Sequence, residues 1–527
     1  MQSLTLSAQS DGIGFAPTKR PNQGFTNTMK SLNETTAETL KSASFKKEIP
    51  LSLFGCLSKL AKLLTIAFIS LFLIGCGNKN NGSNCDDLSK AIDSSDNTPI
   101  YRVSFYDANF DLNGSISVKA DKPKLNPTQA KTCLGINNAL YSASSAIDVS
   151  SKTSYDITGD ANFYAIANVK EITNQTELVA IDANATSLSG AYILLSDIAL
   201  KENGAGFEGA LGWKPIGDRS TKDANSSFTG VFNGNGHKIT GLWINRPAID
   251  YIGLFGYIEN AKIINLGVEI AKGKSVKGRN YIGGIAGGID DNSSIINSYA
   301  TGNVSGTSEV GGIAGIVFVG SITNSYATGN VSGTSFYAGG IAGTVFNDSE
   351  ITNSYATGDV SGDMDVGGIV GFVSDGSITN SYVTGNVSGD MGVGGIVGSV
   401  GGGSITNSYA TGDVSGDMGV GGIVGGVSNG SIQNNAAINP SVSGRYDVNR
   451  IVGRVIEAAT ISDNLALNAM KINAEGDNAN AGTPKTNAKL KTQSIYENLG
   501  WSFGNDDENP WKIDKGKSYP YLYWERR

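Results

Sequence analysis

Aspartates recur at one position of an internal repeat and could bind a metal ion. Asp363, Asp390 and Asp417 follow one another at steps of 27 residues. If successive repeats stack about 4.8 Å apart, as strands do in a sheet, their carboxylates lie side by side. Ca²⁺ prefers carboxylate oxygens, so a weak calcium site at these aspartates is one interpretation. The other is a solvated acidic column that binds no metal.

Five tyrosines recur with nearly the same period and could bind a sugar. They are Tyr299, Tyr326, Tyr355, Tyr382 and Tyr409. An exposed ladder of their rings could stack on the faces of sugar rings. In an uninterrupted strand, however, each tyrosine would share the core face with the isoleucine four residues earlier. The sequence leaves both interpretations open, an exposed ligand ladder and a structural ladder.

A tandem repeat must position these residues. The string GGIAG or GGIVG begins at Gly283, Gly311, Gly339, Gly367, Gly394 and Gly421, at steps of 28, 28, 28, 27 and 27 residues. Versions of SITNSYATGNVSG follow, and degraded copies extend the pattern over about residues 250–470. A unit this short buries a core only by stacking on its neighbours, which predicts a solenoid.

The residue types of the repeat favour strands. Val, Ile, Thr and Tyr are broken every few residues by Gly, Asn or Asp, which indicates short strands and tight corners. We therefore predict an all-β, right-handed β-helix or β-solenoid of about eight to ten coils, with three short strands per unit. Glycine supplies 70 of 527 residues, and it suits corners that need positive φ or close backbone approach.

Two further columns of the repeat carry asparagine. In the first, Asp and Asn alternate over the last three coils, which avoids neighbouring charges; its members are Asn303, Asn330, Asp359, Asn386 and Asp413. The second is predicted to form an amide ladder at a corner and comprises Asn324, Asn353, Asn380 and Asn407.

The composition argues against catalysis and nucleic-acid binding. His237 is the single histidine. One histidine excludes metal sites built from several histidines, and a histidine relay would have to use this turn-like residue. No lysine or arginine lies between Arg279 and Arg445, although lyase sites and phosphate backbones need such cations. No HExxH motif occurs. We expect no enzyme activity, no catalytic residue and no cofactor.

An export signal precedes the repeat. Leu63–Ile74 is an apolar run after Lys59 and Lys62, and it is followed by Gly75 and Cys76. At 12 residues the run is shorter than the roughly 20 that span a bilayer, and its flanks are those of a secretory signal. The string LIGC resembles the bacterial lipobox, which implies a lipid on Cys76. In that family Gly77, rather than Asp, implies the outer membrane or cell surface.

Two other cysteines belong to the mature chain. Cys85 and Cys133 could form a disulfide in an oxidising envelope, or they could remain two free thiols.

A small module follows the polar tether. Strands are predicted at 101–106 and 115–120 with a turn at Asn113-Gly114, and again near 139–142 and 156–165. This order resembles the Listeria–Bacteroides repeat, which implies a small β-grasp-like module before the solenoid. Asn174 and Glu177 then look like a capping box that opens a short helix to about Ala183.

The repeat itself closely resembles the GLUG-motif family. The strings that carry the resemblance include Gly253-Leu-Phe-Gly256, the lead-in GWKPIG at 212–217 and the aromatic tail YPYLYW at 519–524. The resemblance covers roughly residues 186–527. It implies a surface-exposed repeat protein, often an adhesin, and assigns no chemistry.

The sequence thus predicts six segments and a function. They are an upstream segment and signal peptide (1–75), a lipidated tether (76–100), the β module (101–170), an N-terminal cap with the first coils (171–250), the GLUG solenoid (251–470) and a C-terminal aromatic cap (471–527). We expect a lipid-anchored surface protein that binds a surface protein or glycan. The alternatives are a carbohydrate-binding or carbohydrate-active β-helix and a purely structural envelope spacer.

Overall fold

The structure is a computed structural model that describes residues 100–107, 112–119, 124–125, 127, 139–143, 145, 148–149, 152, 155–157, 160–219, 226–473 and 481–525. Half of the described residues are in strands, and a β-solenoid of about nine turns accounts for most of them. The predicted all-β class and the number of coils are therefore confirmed. Cys76, Cys85 and Cys133 lie outside the described residues, as does the apolar run 63–74.

A small sheet precedes the solenoid. Its strands are β1 (Ile100–Tyr106), β2 (Leu112–Lys119), β4 (Tyr141–Ser142) and β6 (Ala161–Tyr164), in the order β2-β1-β6-β4, while β3 (Lys124–Leu125) pairs with β5 (Tyr155–Asp156). The strand predictions hold here, but the turn at Asn113-Gly114 is wrong. Both residues lie inside β2, whose Gly114 pairs with Phe105 at an irregularity in the register. The resemblance to the Listeria–Bacteroides repeat stays a prediction.

A helix begins at the predicted position at the start of the solenoid, but only half of the predicted capping box forms, because Glu177 does not bond the amide of the N-cap residue Asn174. The Asn174 side chain accepts a hydrogen bond from the Glu177 amide at 3.1 Å, and the Glu177 carboxylate accepts one from the Thr173 amide at 2.7 Å. The first of these bonds satisfies an amide that the first helical turn leaves free. The described helices are α1 (Gln175–Val179), α2 (Ala185–Leu188) and α3 (Gln493–Glu497), with 3₁₀ turns at Ala180–Asp182, Gly209–Leu211 and Lys489–Lys491.

Each complete coil contains five strand segments, so the prediction of three was wrong. Asparagines at positive φ, such as Asn324 at 49° and Asn353 at 50°, turn the chain inside the string SITNSYATG. That string therefore forms two strands instead of one. Successive coils pair in parallel, as between Val331 and Val360, and the register shifts at Thr240–Leu242 and at Asp290–Ser293.

The strands form five parallel stacks, numbered I to V in the order in which a coil visits them. Stack I contains Phe255–Glu259, the first part of Ala286–Ile296, the first part of Ala314–Thr323, Ala342–Phe346, Val370–Ser374, Val397–Gly401, Val424–Ser428 and Val452–Val455. Stack II contains Lys170–Ile172, Ala191–Leu194, Val231–Asn233, Lys262–Ile264, the ends of those two long strands, Glu350–Thr352, Ser377–Thr379, Ser404–Thr406, Ser431–Gln433 and Thr460–Ser462.

Stack III contains Ile198–Ala199, Lys238–Leu242, Gly267–Ile270, Tyr299–Thr301, Tyr326–Ala327, Tyr355–Ala356, Tyr382–Val383, Tyr409–Ala410, Ala436–Ala437, Leu465–Leu467 and Thr483–Lys485. Stack IV contains Ile244–Asn245, Ser275–Lys277, Asn303–Gly306, Val331–Gly333, Val360–Ser361, Val387–Ser388, Val414–Ser415, Ser441–Ser443 and Lys471–Asn473. Stack V contains Asn280–Ile282, Ser308–Gly311, Phe336–Gly339, Met364–Gly367, Met391–Gly394, Met418–Gly421 and Tyr446–Asn449. Trp511–Lys512 and Tyr521–Leu522 pair outside the coils.

The core is a set of apolar ladders inside the coils. The isoleucine of GGIAG or GGIVG is fully buried in every copy: Ile285, Ile313, Ile341, Ile369, Ile396 and Ile423. Each buried side chain of this size contributes about 1.5–3 kcal/mol of hydrophobic free energy. Glycine at the first position of the string allows close approach, because a Cβ at Gly311 would collide with the carbonyl oxygen of Ala314.

Candidate functional site

The five tyrosines of stack III form one continuous ladder of stacked rings. Neighbouring ring centroids lie 4.9, 4.9, 5.0 and 4.9 Å apart from Tyr299 to Tyr409. The interplanar angles are 12° or less. The parallel register places each tyrosine directly opposite the next. The predicted column is therefore a physical ladder at the expected coil spacing.

The ladder faces outward from the solenoid. The residue after each tyrosine is buried inside the coil, as Ala327 and Ala356 are, and strand alternation puts the tyrosine on the opposite face. The positive-φ asparagine two residues before each tyrosine breaks the strand that would have carried the ring inward. The sequence left the direction of the tyrosines open, and an inward direction required an uninterrupted strand, which these asparagines break.

The C-terminal segment covers the ladder. Trp524 stacks on Tyr355 with centroids 5.5 Å apart, and Trp511 lies 5.9 Å from Tyr409 and 6.4 Å from Tyr382. Tyr382 and Tyr409 keep only 5% and 3% of their exposure. The interpretation of the ladder as an exposed sugar platform is thus wrong at these two rings, because the chain itself occupies their outer surface.

Burial also keeps tyrosine hydroxyls of the ladder protonated. Removal from water raises the pKa of Tyr382 and of Tyr355 well above the ordinary phenol value. Both hydroxyls therefore stay neutral at physiological pH and act as hydrogen-bonding groups. The residues predicted as a C-terminal cap supply one more strand to stack III, Thr483–Lys485, and their aromatic side chains then pack along this lateral surface.

A serine column that the sequence analysis overlooked lies beneath the ladder. Ser298, Ser325, Ser354, Ser381 and Ser408 are buried at 0–1% exposure. Each hydroxyl from Ser325 onward accepts a hydrogen bond from the backbone amide of the serine in the preceding coil, as Ser354 does from Ser325 at 3.2 Å. The same hydroxyl donates to a carbonyl two residues earlier, at 2.8 Å for Thr352. The Asn-Ser dipeptide that recurs in the repeat is the sequence signal that could have revealed this column.

The two asparagine columns both bond, in different ways. Along the first, each side-chain oxygen accepts from the backbone amide of the next coil, as Asp359 does from Asn386 at 2.8 Å and Asn386 from Asp413 at 2.9 Å. Along the second, the C-terminal segment provides the partners. Asn324 donates to Asp507 at 2.8 Å, and Asn380 accepts from the Trp511 indole at 3.3 Å.

The predicted calcium residues form an exposed column. Asp363, Asp390 and Asp417 stack through backbone bonds of 2.8 Å from each amide to the preceding carbonyl, and Arg445 continues the column with the same geometry. All three side chains are exposed. No group of three or more His, Cys, Asp or Glu side chains converges in the described part of the chain. Calcium binding here stays a prediction.

His237 lies in the turn that the sequence indicated. Its amide donates to the Gly234 carbonyl at 2.8 Å, and its ring nitrogen Nδ1 lies 3.1 Å from the Asp197 carboxylate. The Lys238 amide and His237 together hold the pKa of Asp197 below its ordinary value. This arrangement ties two neighbouring coils together at the surface.

A cluster of exposed and half-buried rings interrupts the regular surface of stacks I and V. We call it the aromatic face and define it as Phe318, Phe336, Tyr337, Phe346 and Phe372. Ring centroids lie 5.3 Å apart for Tyr337 and Phe372, 5.9 Å for Phe346 and Phe372, and 6.4 Å for Phe318 and Phe346. Phe318 and Phe336 are 39% and 42% exposed. Sequence reasoning missed this cluster because its members depart from the repeat consensus.

Two half-buried carboxylates lie beside the aromatic face. Burial, with Asp250 nearby, raises the pKa of Glu309 to about 7. Burial also raises the pKa of Tyr281 to about 12, and the adjacent Glu309 carboxylate adds to that rise. Asp365 accepts a hydrogen bond from the Ser399 hydroxyl, and its pKa is nevertheless raised by burial. Aromatic and acidic side chains thus share one surface.

None of the described helices is long and apolar enough to cross a bilayer.

Comparison with known proteins shows which family the repeat matches. The family described as "The GLUG motif" matches residues 278–305, 334–361, 362–388 and 389–415. Halomucin of Haloquadratum walsbyi is 35% identical over 147 residues, which are 28% of this chain and 2% of halomucin. A protein of Evansella cellulosilytica, provisionally named a Gly-rich membrane protein, is 51% identical over 59 residues, or 11% of this chain and 6% of its own. The chain therefore spans only a small part of these curated relatives.

A solved structure from Bacteroides ovatus is also similar. It is provisionally named an immunoglobulin A1 protease and is 22% identical, with a TM-score of 0.34, covering 68% of this chain and 93% of its own. The GLUG resemblance is confirmed by the family match. Four segments of this solenoid, each one coil long, are GLUG motifs.

Proposed function

We propose that this chain is a lipid-anchored protein of the bacterial cell surface that mediates adhesion through the sides of its solenoid. The observation that carries the proposal is the GLUG solenoid of about nine turns. Stacked coils present long side faces, and repeat proteins use such extended surfaces to bind partners. A relative whose name describes a membrane protein supports the location.

The anchor is proposed at Cys76. The apolar run Leu63–Ile74, its basic flank and the string LIGC support export and lipidation at that cysteine. Replacing Cys76 with serine should release the protein from the membrane fraction, since a single acyl-linked cysteine provides the attachment. Mass spectrometry of the mature N-terminus should find Cys76 as the first residue with its lipid. A mature chain that keeps residues 1–56 would contradict the anchor.

Protease shaving of intact cells tests surface exposure. Trypsin cannot cut between Arg279 and Arg445, so proteinase K is the suitable enzyme. Release of solenoid peptides from intact cells is expected, while a cytoplasmic marker stays uncut. Peptides that appear only after lysis would contradict surface exposure. Cells carrying the full chain should also adhere to immobilised partner surfaces more than cells without it.

Carbohydrate binding is the second candidate, because the exposed rings of the aromatic face could stack on sugars. A glycan array with the full chain tests it. Glycan binding that is lost in Phe372→Ser would favour this candidate. A strain with the gene deleted that adheres normally would favour a purely structural spacer.

A further inference from the structure

The aromatic face is not required by the fold. The coil register aligns Phe346 with Ser374, and it aligns Phe372 with Thr344 on one side and Ser399 on the other. At the column of Tyr337, later coils carry Asp365 and Gly392 with the same positive φ. Coils without these rings therefore adopt the same backbone. Exposed apolar clusters that the fold does not need mark interaction surfaces.

The same surface carries unbalanced negative charge. The Glu309 carboxylate lies next to Tyr281 and Tyr337, and Asp365 lies next to Tyr337 on the other side. Within the described residues, Glu309 has neither a hydrogen-bond donor nor a cationic partner. Its neighbour Asp250 is already paired with Arg279 at 2.6 Å. No lysine or arginine occurs from residue 280 to residue 444. A half-buried carboxylate without a partner gains free energy when a cation approaches it.

Aromatic rings and carboxylates favour the same kind of guest. The π faces of Tyr and Phe are negative and attract guanidinium and ammonium groups. Carboxylates accept charge-assisted hydrogen bonds, best from the planar guanidinium. A neutral sugar carries no positive charge to pair with the Glu309 and Asp365 carboxylates. Charge complementarity therefore favours a cationic partner over a neutral glycan.

We propose that the aromatic face, together with Glu309 and Asp365, binds an arginine-bearing segment of a partner protein. Guanidinium groups would stack on Tyr337 and Phe372 and donate to the Glu309 carboxylate. This proposal rests on the proposed adhesive function and names the partner's chemistry. It can fail while the shaving experiment succeeds, since exposure on the cell does not depend on these rings.

The repeat itself supplies the test variants. Phe346→Ser and Phe372→Ser install residues that aligned positions of neighbouring coils already carry, so the double variant should fold. Glu309→Gln removes the charge at nearly constant size. The matched control is Asp359→Asn, which removes one charge at an exposed position just before the stack IV strand Val360–Ser361, where adjacent coils carry Asn330 and Asn386. Circular dichroism and thermal melting check each fold.

The measurement is fluorescence anisotropy of a labelled octa-arginine peptide titrated with the purified full chain. Octa-glutamate and chitohexaose serve as the anionic and neutral sugar probes. We expect the Kd for octa-arginine to rise at least about tenfold in the double variant and about three- to tenfold in Glu309→Gln, as at interface hot spots. Asp359→Asn should stay within about twofold.

Four outcomes would overturn the proposal. They are no octa-arginine binding at millimolar chain, equal binding by the double variant, a loss in Asp359→Asn as large as in Glu309→Gln, and ring-dependent binding of chitohexaose instead of octa-arginine.

Discussion

The Tyr409 hydroxyl donates a hydrogen bond of 2.6 Å to the carbonyl oxygen of Pro520, 111 residues later in the chain. This bond links the last tyrosine of the ladder to the C-terminal segment. Trp501 and Trp511 flank it, with centroids 6.4 and 5.9 Å from the Tyr409 ring. Coils of a solenoid normally contact only their neighbours. Here one segment contacts several coils at once.

Trp511→Ala should strongly destabilise the protein. The indole is fully buried against Tyr382, Tyr409 and Trp501, and truncating a buried tryptophan costs about 3–5 kcal/mol. Urea denaturation followed by circular dichroism measures the loss. Phe336→Ala is the control, because this exposed side chain should change the free energy of unfolding by less than about 0.5 kcal/mol. Equal effects of the two substitutions would show that the segment does not stabilise the coils.

Ser354→Ala should destabilise the protein, because the substitution removes one hydrogen-bond acceptor. The Ser325 amide would remain buried without its partner at 3.2 Å, and such an amide costs about 1–3 kcal/mol. Ser388→Ala provides the comparison, because Ser388 is exposed in stack IV and its loss should be within about 0.5 kcal/mol. Urea midpoints measure both. A Ser354→Ala variant as stable as the control would mean that the buried column is energetically neutral.

Because of Glu309, the free energy of unfolding should fall as the pH rises. Its pKa is about 7 in the folded chain against an ordinary value of 4.5, because burial and the nearby Asp250 disfavour the charged form. Between these values the folded chain binds more protons than the unfolded chain, so the free energy of unfolding decreases with pH. Tyr281 and Tyr337, which also face the carboxylate, stay neutral in this range.

Glu309→Gln should therefore stabilise the protein at pH 8 and flatten the slope between about pH 4.5 and 7. Solvent reaches the half-buried side chain, which limits the gain to on the order of 1 kcal/mol. Urea titrations at several pH values measure it. The exposed Glu350→Gln substitution removes the same charge and should leave the slope unchanged. If the slope persists in Glu309→Gln, another titratable group causes the pH dependence.

Asp390→Asn should raise stability slightly at low ionic strength. Asp390 lies between Asp363 and Asp417, so its removal relieves two like-charge contacts of a few tenths of a kcal/mol each. The gain should vanish at 1 M salt, where the Debye length is about 3 Å.

We expect millimolar CaCl₂ to leave the melting temperature of the unmodified chain unchanged. A rise that Asp390→Asn abolishes would establish the calcium site instead.

The repeat period was sufficient to predict the solenoid and the columns. A 27–28-residue step places Tyr355 beside Tyr382 and Asn386 beside Asp413 whatever the details of the coil, because parallel in-register pairing aligns equal positions. The corner conformation was harder to predict. Asn324 adopts positive φ, and this single dihedral decides whether Tyr326 points in or out.

Contacts between distant segments could not be predicted from periodicity. The packing of Trp511 on Tyr382 joins residues outside and inside the repeat, and no spacing rule relates them. The aromatic face was missed for the opposite reason. A consensus averages away Phe346 and Phe372, since the coil after Phe346 carries Ser374 at the aligned position and the coils on either side of Phe372 carry Thr344 and Ser399.

The covering of Tyr382 and Tyr409 by the C-terminal segment also sets an order of events during synthesis. The ribosome delivers the chain from the N-terminus, so the tyrosine ladder is made roughly a hundred residues before Trp511 and Pro520. Until those residues arrive, the growing coils present uncovered rings that a chaperone or another nascent chain can contact. This flank of the solenoid is therefore completed only when the later-made residues Trp511 and Pro520 close over coils made earlier.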